Sequence, residues 1–266
     1  MLKRIILLLV VCVTLCLNAA PVRADIYPTG PVTFGPGSGE DSLQTVLDKI
    51  TVNPATGTDP GGIYNSSVNT STDALLDTWD SYWSISGTGQ SAASMIIELS
   101  GWSANNAFGI FDATDPSKSV QIFSGAASPG VTKGGVANII ITVDGDVYIN
   151  YVDTGVNFAK NLLGFYLDTP NGRWYSDTGL NSDSVDHMYA YQGKGLDTVK
   201  IADLMPGLWT KSEFILGWED ISGGGDGDYQ DFVVMVESVN PVPTPAAILL
   251  GILGLGVAGW RLRRFA

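Results

Sequence analysis

From about residue 92 onward, turn-forming residues divide the chain into short apolar segments: Met95–Leu99, Phe108–Phe111, Val120–Phe123, Ile139–Val143, Val147–Tyr151, Leu162–Leu167, Met188–Tyr191, Phe214–Trp218 and Phe232–Val236. None is long enough for a helix that buries one face, and the period falls to two, so each reads as a strand. Nine strands spaced by turns predict a mainly β fold, a β-sandwich or jelly-roll-like domain over residues 92–238. Asp144-Gly145 between two of them predicts a type I′ hairpin turn, because that pair tolerates positive φ.

Ahead of the strands, residues 25–91 read as a Pro/Gly-rich lead-in with one or two short helices. Leu43, Val46, Leu47 and Ile50 fall at i, i+3, i+4 and i+7 of a helix over Asp41–Ile50. Leu75, Leu76, Trp79 and Trp83 suggest a second over Thr72–Trp83, with a polar loop over 56–70 between the two.

Cysteine and charge narrow the chemistry. Both cysteines, Cys12 and Cys16, lie in the N-terminal apolar run, which rules out disulfide scaffolds, thiolate zinc sites and cysteine nucleophiles for the rest of the chain. A single histidine rules out multi-histidine metal centres. Six of the 14 basic residues sit in the end segments and no acid does, so residues 25–240 hold 27 acids and eight bases, a net charge of −19. Such a surface repels phosphate backbones, so no nucleic-acid partner is expected.

The ends read as addresses. Lys3-Arg4, the apolar stretch Ile5 to Leu17 and the small residue Ala24 before Asp25 have the order of a secretory signal peptide over residues 1–24. Residues 239–266 carry Val242-Pro243-Thr244-Pro245, an apolar run from Ala246 to Trp260, and Arg261-Leu262-Arg263-Arg264. Fifteen helical residues reach about 23 Å, a marginal transmembrane helix whose basic end stays cytoplasmic. This three-part tail resembles the PEP-CTERM sorting signals of Gram-negative bacteria, with Thr244 where Glu is commonest. The resemblance implies an exosortase-type processing partner, a transient membrane anchor, and a final place at the cell surface or in an extracellular matrix. A plain single-pass anchor is the alternative.

The densest chemistry lies between Gly217 and Phe232. Glu219, Asp220, Asp226, Asp228 and Asp231 put five carboxylates within thirteen residues, among glycines and between two apolar strands. Unpaired, they repel one another; a hard cation with six to eight oxygen ligands neutralises them, and calcium suits a flexible oxygen cage better than magnesium. An EF-hand is excluded: counting from Asp226, the glycine position is Asp231, and a strand separates it from Glu237. The structural alternative is a solvated turn whose Asp side chains bond their own backbone. A second constellation, Trp174 to Met188, offers Asn181, Asp183 and Asp186 as oxygen donors and contains His187. This histidine is either a structural hydrogen-bonder or a partner for a carboxylate of the acidic loop.

Phe-Tyr-Leu, Tyr-Ser, Leu-Asn-x-Asp and Asp-His-Met, followed by Gly-Trp-Glu-Asp and Gly-Gly-Asp-x-Asp-Tyr-x-Asp-Phe-Val-Val, resemble a bacterial surface family known as domain of unknown function 4114, over about residues 160–237. The resemblance maps the family's acidic positions onto Glu219, Asp220, Asp226, Asp228 and Asp231, and its Asn/Asp/His stretch onto Asn181, Asp183 and His187. Gln230 stands where Asn is more usual.

Two functions are expected from these residues. One is an exported surface or matrix protein with a calcium-stabilised acidic loop, structural, adhesive or polysaccharide-binding, in which Trp102, Trp174, Trp209 and Trp218 offer sugar-stacking faces if they are not core. The other is a carboxylate-dependent hydrolase of glycosidase type, using Glu219 with Asp226 or Asp228. A Gly-rich polar loop argues against the second, since one carboxyl must be raised by burial.

Overall fold

The computed structural model describes residues 41–52, 65–87, 89–98 and 104–243, with side chains at 94–98 left aside. The signal peptide, much of the lead-in, the sorting tail from residue 244 onward and Trp102 lie outside the described residues. Among those described, no helix is long and apolar enough to cross a membrane.

In chain order the elements are α1 (Leu43–Ile50), β1 (Thr51–Val52), α2 (Asp77–Asp80), β2 (Tyr82–Ile85), β3 (Gln90–Glu98), β4 (Ala107–Asp112), β5 (Asp115–Phe123), β6 (Val136–Ile141), β7 (Asp146–Ile149), β8 (Val152–Asn157), β9 (Leu163–Thr169), β10 (Gly172–Tyr175), β11 (Met188–Gln192), β12 (Thr198–Val199), β13 (Gly207–Leu208), β14 (Glu213–Trp218), β15 (Phe232–Glu237) and β16 (Val239–Val242). The chain is mainly β, as expected, and every one of the nine apolar segments contributes to a strand. Two large antiparallel sheets are open rather than closed into a barrel. One has the order β11-β14-β15-β3-β6-β7-β8, the other β16-β2-β9-β4-β5 with β10 paired to β9, and β1-β12-β13 form a small third.

The period of two decides where side chains go. Phe214, Leu216 and Trp218 of β14, with Phe232, Val234 and Val236 of β15, join Phe108, Phe165 and Trp83 of the other sheet in one buried core. Phe108 lies at its centre, 5.4 Å from Phe232 and 5.7 Å from Phe165 between ring centroids. The residues between them, Ile215, Val233 and Met235, point to the other face and meet Leu43, Val46, Leu47 and Ile50 of α1. Both faces of β14 and β15 are therefore dry, which is why their sequences run apolar without a break. The predicted stripe places α1 correctly, and Ser42 caps it by accepting a hydrogen bond from Thr45 N at 3.2 Å.

The second expected helix shrinks to the four residues of α2. Tertiary pairing overrides its stripe: Leu75 N donates to Ala190 O of the edge strand β11 at 2.8 Å, and Trp83 is drawn into β2 and the core. Leu76 and Trp79 are left 66% and 45% exposed.

The β6–β7 turn also differs from expectation. Gly145 alone takes positive φ, 93°, and donates to Thr142 O, while Thr142 N donates to Asp146 O. The connection is thus a three-residue loop ending in a left-handed glycine. The type I′ turn lies one hairpin later, at Asn150 and Tyr151 between β7 and β8, with φ of 51° and 65°. Tyr151 is 68% exposed, so it pays for a left-handed backbone with little burial in return. Tyr151→Gly is expected to stabilise the protein by about 1 kcal/mol, raising the melting temperature by about 2–4 °C, as read by thermal denaturation.

Candidate functional site

The acidic residues occupy the connection between β14 and β15, whose ends are fixed by the pair Trp218 and Phe232. Glu219 N donates to His187 O at 3.0 Å, which carries the β11–β14 ladder one residue past the strand and draws Glu219 under cover. Glu219, Asp220, Asp228 and Gln230 are buried, Asp231 is half-buried and Asp226 faces solvent. The chain folds back over Glu219 so that Ile221 N and Gly227 N donate to its two oxygens at 3.2 and 3.0 Å. Asp231 accepts from Asp220 N at 3.1 Å. Asp228 accepts from Gln230 N at 3.2 Å, an Asx-type turn of the kind the structural alternative foresaw, and from the Gln230 side-chain amide.

Carboxylate oxygens of Glu219, Asp220 and Asp231 all lie within 4.8 Å of one another, and so do those of Glu219, Asp226 and Asp228. Two oxygens on one calcium ion, at about 2.4 Å each, can be no further apart than about 4.8 Å. The structure thus brings all five loop acids into two overlapping groups that share Glu219.

Glu219, Asp226 and Asp231 form no ion pair among the described residues. Burial, reinforced by Asp226 and Asp228, pushes the Glu219 carboxyl up to about 7. Burial, then the charges of Glu219, Asp220 and Asp228, pushes Asp231 up to about 9. The mutual repulsion anticipated from sequence is present, and it falls on groups that are buried or half-buried, where water relieves it least.

The second constellation lies underneath this loop and holds it. Asn181 spends its amide on the backbone, donating to Tyr175 O and Val185 O and accepting from Tyr175 N at 2.7 Å. Asp183 accepts from Gly223 N at 2.8 Å and from His187 Nε2 at 2.9 Å. Although burial opposes it, hydrogen bonds from Gly223, His187 and Val185 hold the Asp183 carboxyl below the usual range. His187 is fully buried, its Nδ1 lies 2.9 Å from Glu219 O, and its ring stacks on Trp174 at 4.0 Å, nearly parallel. Both ring nitrogens face oxygen atoms of the protein. The histidine therefore meets the acidic loop through a backbone carbonyl, and its carboxylate partner is Asp183. Asp186 caps β11, accepting from Met188 N at 3.1 Å, and its carbonyl accepts from Tyr229 OH.

Sequence reasoning missed Asn106. It stands just ahead of β4 in the other sheet, is 1% exposed, and donates from Nδ2 to Asp220 Oδ2 at 2.8 Å. A lone Asn before an apolar strand carries no local signal. Trp174, Trp209 and Trp218, considered as sugar-stacking faces, are all buried, and Trp174 Nε1 donates to Asp220 O at 3.0 Å. They are core and clamp residues.

The fold and site define a mainly β domain with an acid-lined connection at one end of two facing sheets. Residues 150–239 match the family model of a domain of unknown function, DUF4114. No curated protein and no solved structure matches the chain. The matched segment contains both constellations and excludes Asn106 and α1.

Two outcomes test this geometry. Gly225 has φ 44° and ψ −127°, and a Cβ there would lie 2.1 Å from Glu219 Oε1. Gly225→Ala is expected to cost roughly 1–3 kcal/mol in urea unfolding. Because Glu219 and Asp231 titrate above their ordinary 4.5 and 3.8, the folded state without cations binds the extra protons. The stability these two groups contribute is full below about pH 4 and is lost as pH rises through about 7 and 9. In chelator, the melting temperature is expected to fall between pH 5 and 8.

Proposed function

We propose that this chain is an exported cell-surface or extracellular-matrix protein whose β domain is stabilised by calcium at the acidic loop. The observation that carries the reading is the gathering of largely buried carboxylate oxygens into two groups, each within one ion's reach, without ion pairs for Glu219, Asp226 or Asp231 among the described residues. Hydrogen bonds from backbone N–H groups offset part of such a charge, but a divalent cation matches it. Glu219, Asp220 and Asp231 form the interior group, and Asp226 opens the second group to solvent. Asn181, Asp183 and His187, expected as ligands, support the loop from below on this reading.

Export rests on the signal-peptide pattern of residues 1–24, and surface or matrix placement on the PEP-CTERM-like tail of residues 239–266 with its exosortase-type partner. An ion held at the solvent-facing group has coordination positions free for hydroxyl or carboxylate oxygens of a polysaccharide, which fits an adhesive or structural role in a matrix. With its three described candidate tryptophans buried, carbohydrate stacking contributes less to this reading than cation bridging.

The hydrolase reading gains one observation, since Glu219 is raised by burial into the range of a general acid. Its carboxylate is nevertheless wholly buried and capped by two amides, where no glycosidic oxygen reaches it. Turnover of a glycan panel that Glu219→Gln abolishes would favour the enzyme.

For the calcium reading, 10 mM calcium is expected to raise the melting temperature of the full-length chain by about 3–10 °C, from dissociation constants of about 0.1–1 mM. Asp226→Asn combined with Asp228→Asn is expected to remove most of that rise. A chain whose melting point is indifferent to calcium sinks the reading.

A further inference from the structure

We infer that Asn106 is a cation ligand contributed by the opposite sheet, so that an ion in the interior group fastens the two sheets together at this end. The inference rests on the calcium reading above. Its independent observation is Asn106 Oδ1, which is buried and has no hydrogen-bond partner among the described residues, on a side chain 1% exposed. A buried amide oxygen left without a partner costs about 1–3 kcal/mol, so its position calls for an electropositive group that the described protein atoms do not supply.

The amide's other arm limits how far that oxygen can lie from Asp220. Nδ2 donates to Asp220 Oδ2 at 2.8 Å. The two arms of a planar amide are about 2.2 Å apart, so Oδ1 lies within about 5 Å of the Asp220 oxygen. That is the span of ligands on opposite sides of one calcium ion. Exchanging the two arms brings the oxygen closer still. An amide carbonyl is a common calcium ligand and adds no charge to a cluster that already holds three carboxylates.

The position is rigid. Ala107, the next residue, pairs with Asp168 of β9, and Trp174 from the same sheet reaches Asp220 O. Glu219, Asp220 and Asp231 flank β14 and β15 of the other sheet. An ion touching both sets adds a further link between the two sheets beside the hydrogen bonds that Asn106 and Trp174 make to Asp220.

Two substitutions separate a ligand from a simple hydrogen-bond donor to Asp220, because they predict opposite results for Asn106→Asp. A donor replaced by a carboxylate adds repulsion beside Asp220; a ligand oxygen replaced by another ligand oxygen keeps the ion. In calorimetric titration of the full-length chain with calcium chloride, Asn106→Leu is expected to weaken binding at least tenfold, while Asn106→Asp binds within threefold of the unaltered chain or more tightly. Should the Leu variant fail to fold, the Asp variant decides: tenfold or greater weakening overturns the role. Binding that Asn106→Leu leaves unchanged overturns it too, while sparing the calcium reading. No binding by the unaltered chain overturns both.

Discussion

The β14–β15 pair is dry on both faces, and the rest of the structure is arranged around that constraint. On one side it faces the aromatic seam centred on Phe108; on the other it is roofed by α1. A strand pair in this position can carry only apolar side chains, and its ends are the first places where polar groups are tolerated. The acidic connection begins immediately at such an end. Glu219 follows Trp218 without a spacer, and Asp231 precedes Phe232, so these acids inherit the burial of the strands they terminate. Their raised carboxyl groups express the same desolvation that stabilises the neighbouring core.

The support beneath the loop uses the only histidine in the chain. His187 joins three parts at once: the Asp183 carboxylate, the Glu219 carbonyl and the face of Trp174. Asp183 extends the grip to Gly223. A loop of thirteen residues rich in glycine is costly to order, and these contacts, together with the amides that cap Glu219, hold it in one conformation without a disulfide.

Much of this was legible before the structure. Runs with a period of two marked the strands, and the unbroken apolar stretches at 214–218 and 232–236 already carried the mark of strands buried on both faces, although they were read only as strands. The α1 stripe was legible because all four of its apolar residues serve one interface. The stripe over 72–83 misled because its residues serve different ends: Trp83 goes to the sheet core while Leu76 and Trp79 stay outside. Strands β1, β12 and β13, two residues each, exist only through distant pairing and leave no local pattern. At the site, the crowding of acids was plain from sequence, but their depth was not, because glycine and aspartate are ordinarily surface residues. Asn106 was invisible for a different reason: it meets Asp220 across 114 positions of chain, and only the packing of one sheet on the other brings them together.

The junction between the last two strands has a mechanical consequence. β15 belongs to one sheet and β16 to the other, yet a single residue, Ser238 at φ 57°, joins them. β16 pairs with β2 at a sheet edge, with Pro241 in the strand. Tension applied at Val242 therefore reaches a short edge strand first, and beyond Ser238 the line of force runs along a deeply buried strand, towards Asp231. The outermost four residues can peel away as a fuse while the load beyond them is held in shear by β14 and β3 on either side of β15. A domain tethered from this end would yield first at its margin and last at its acidic connection.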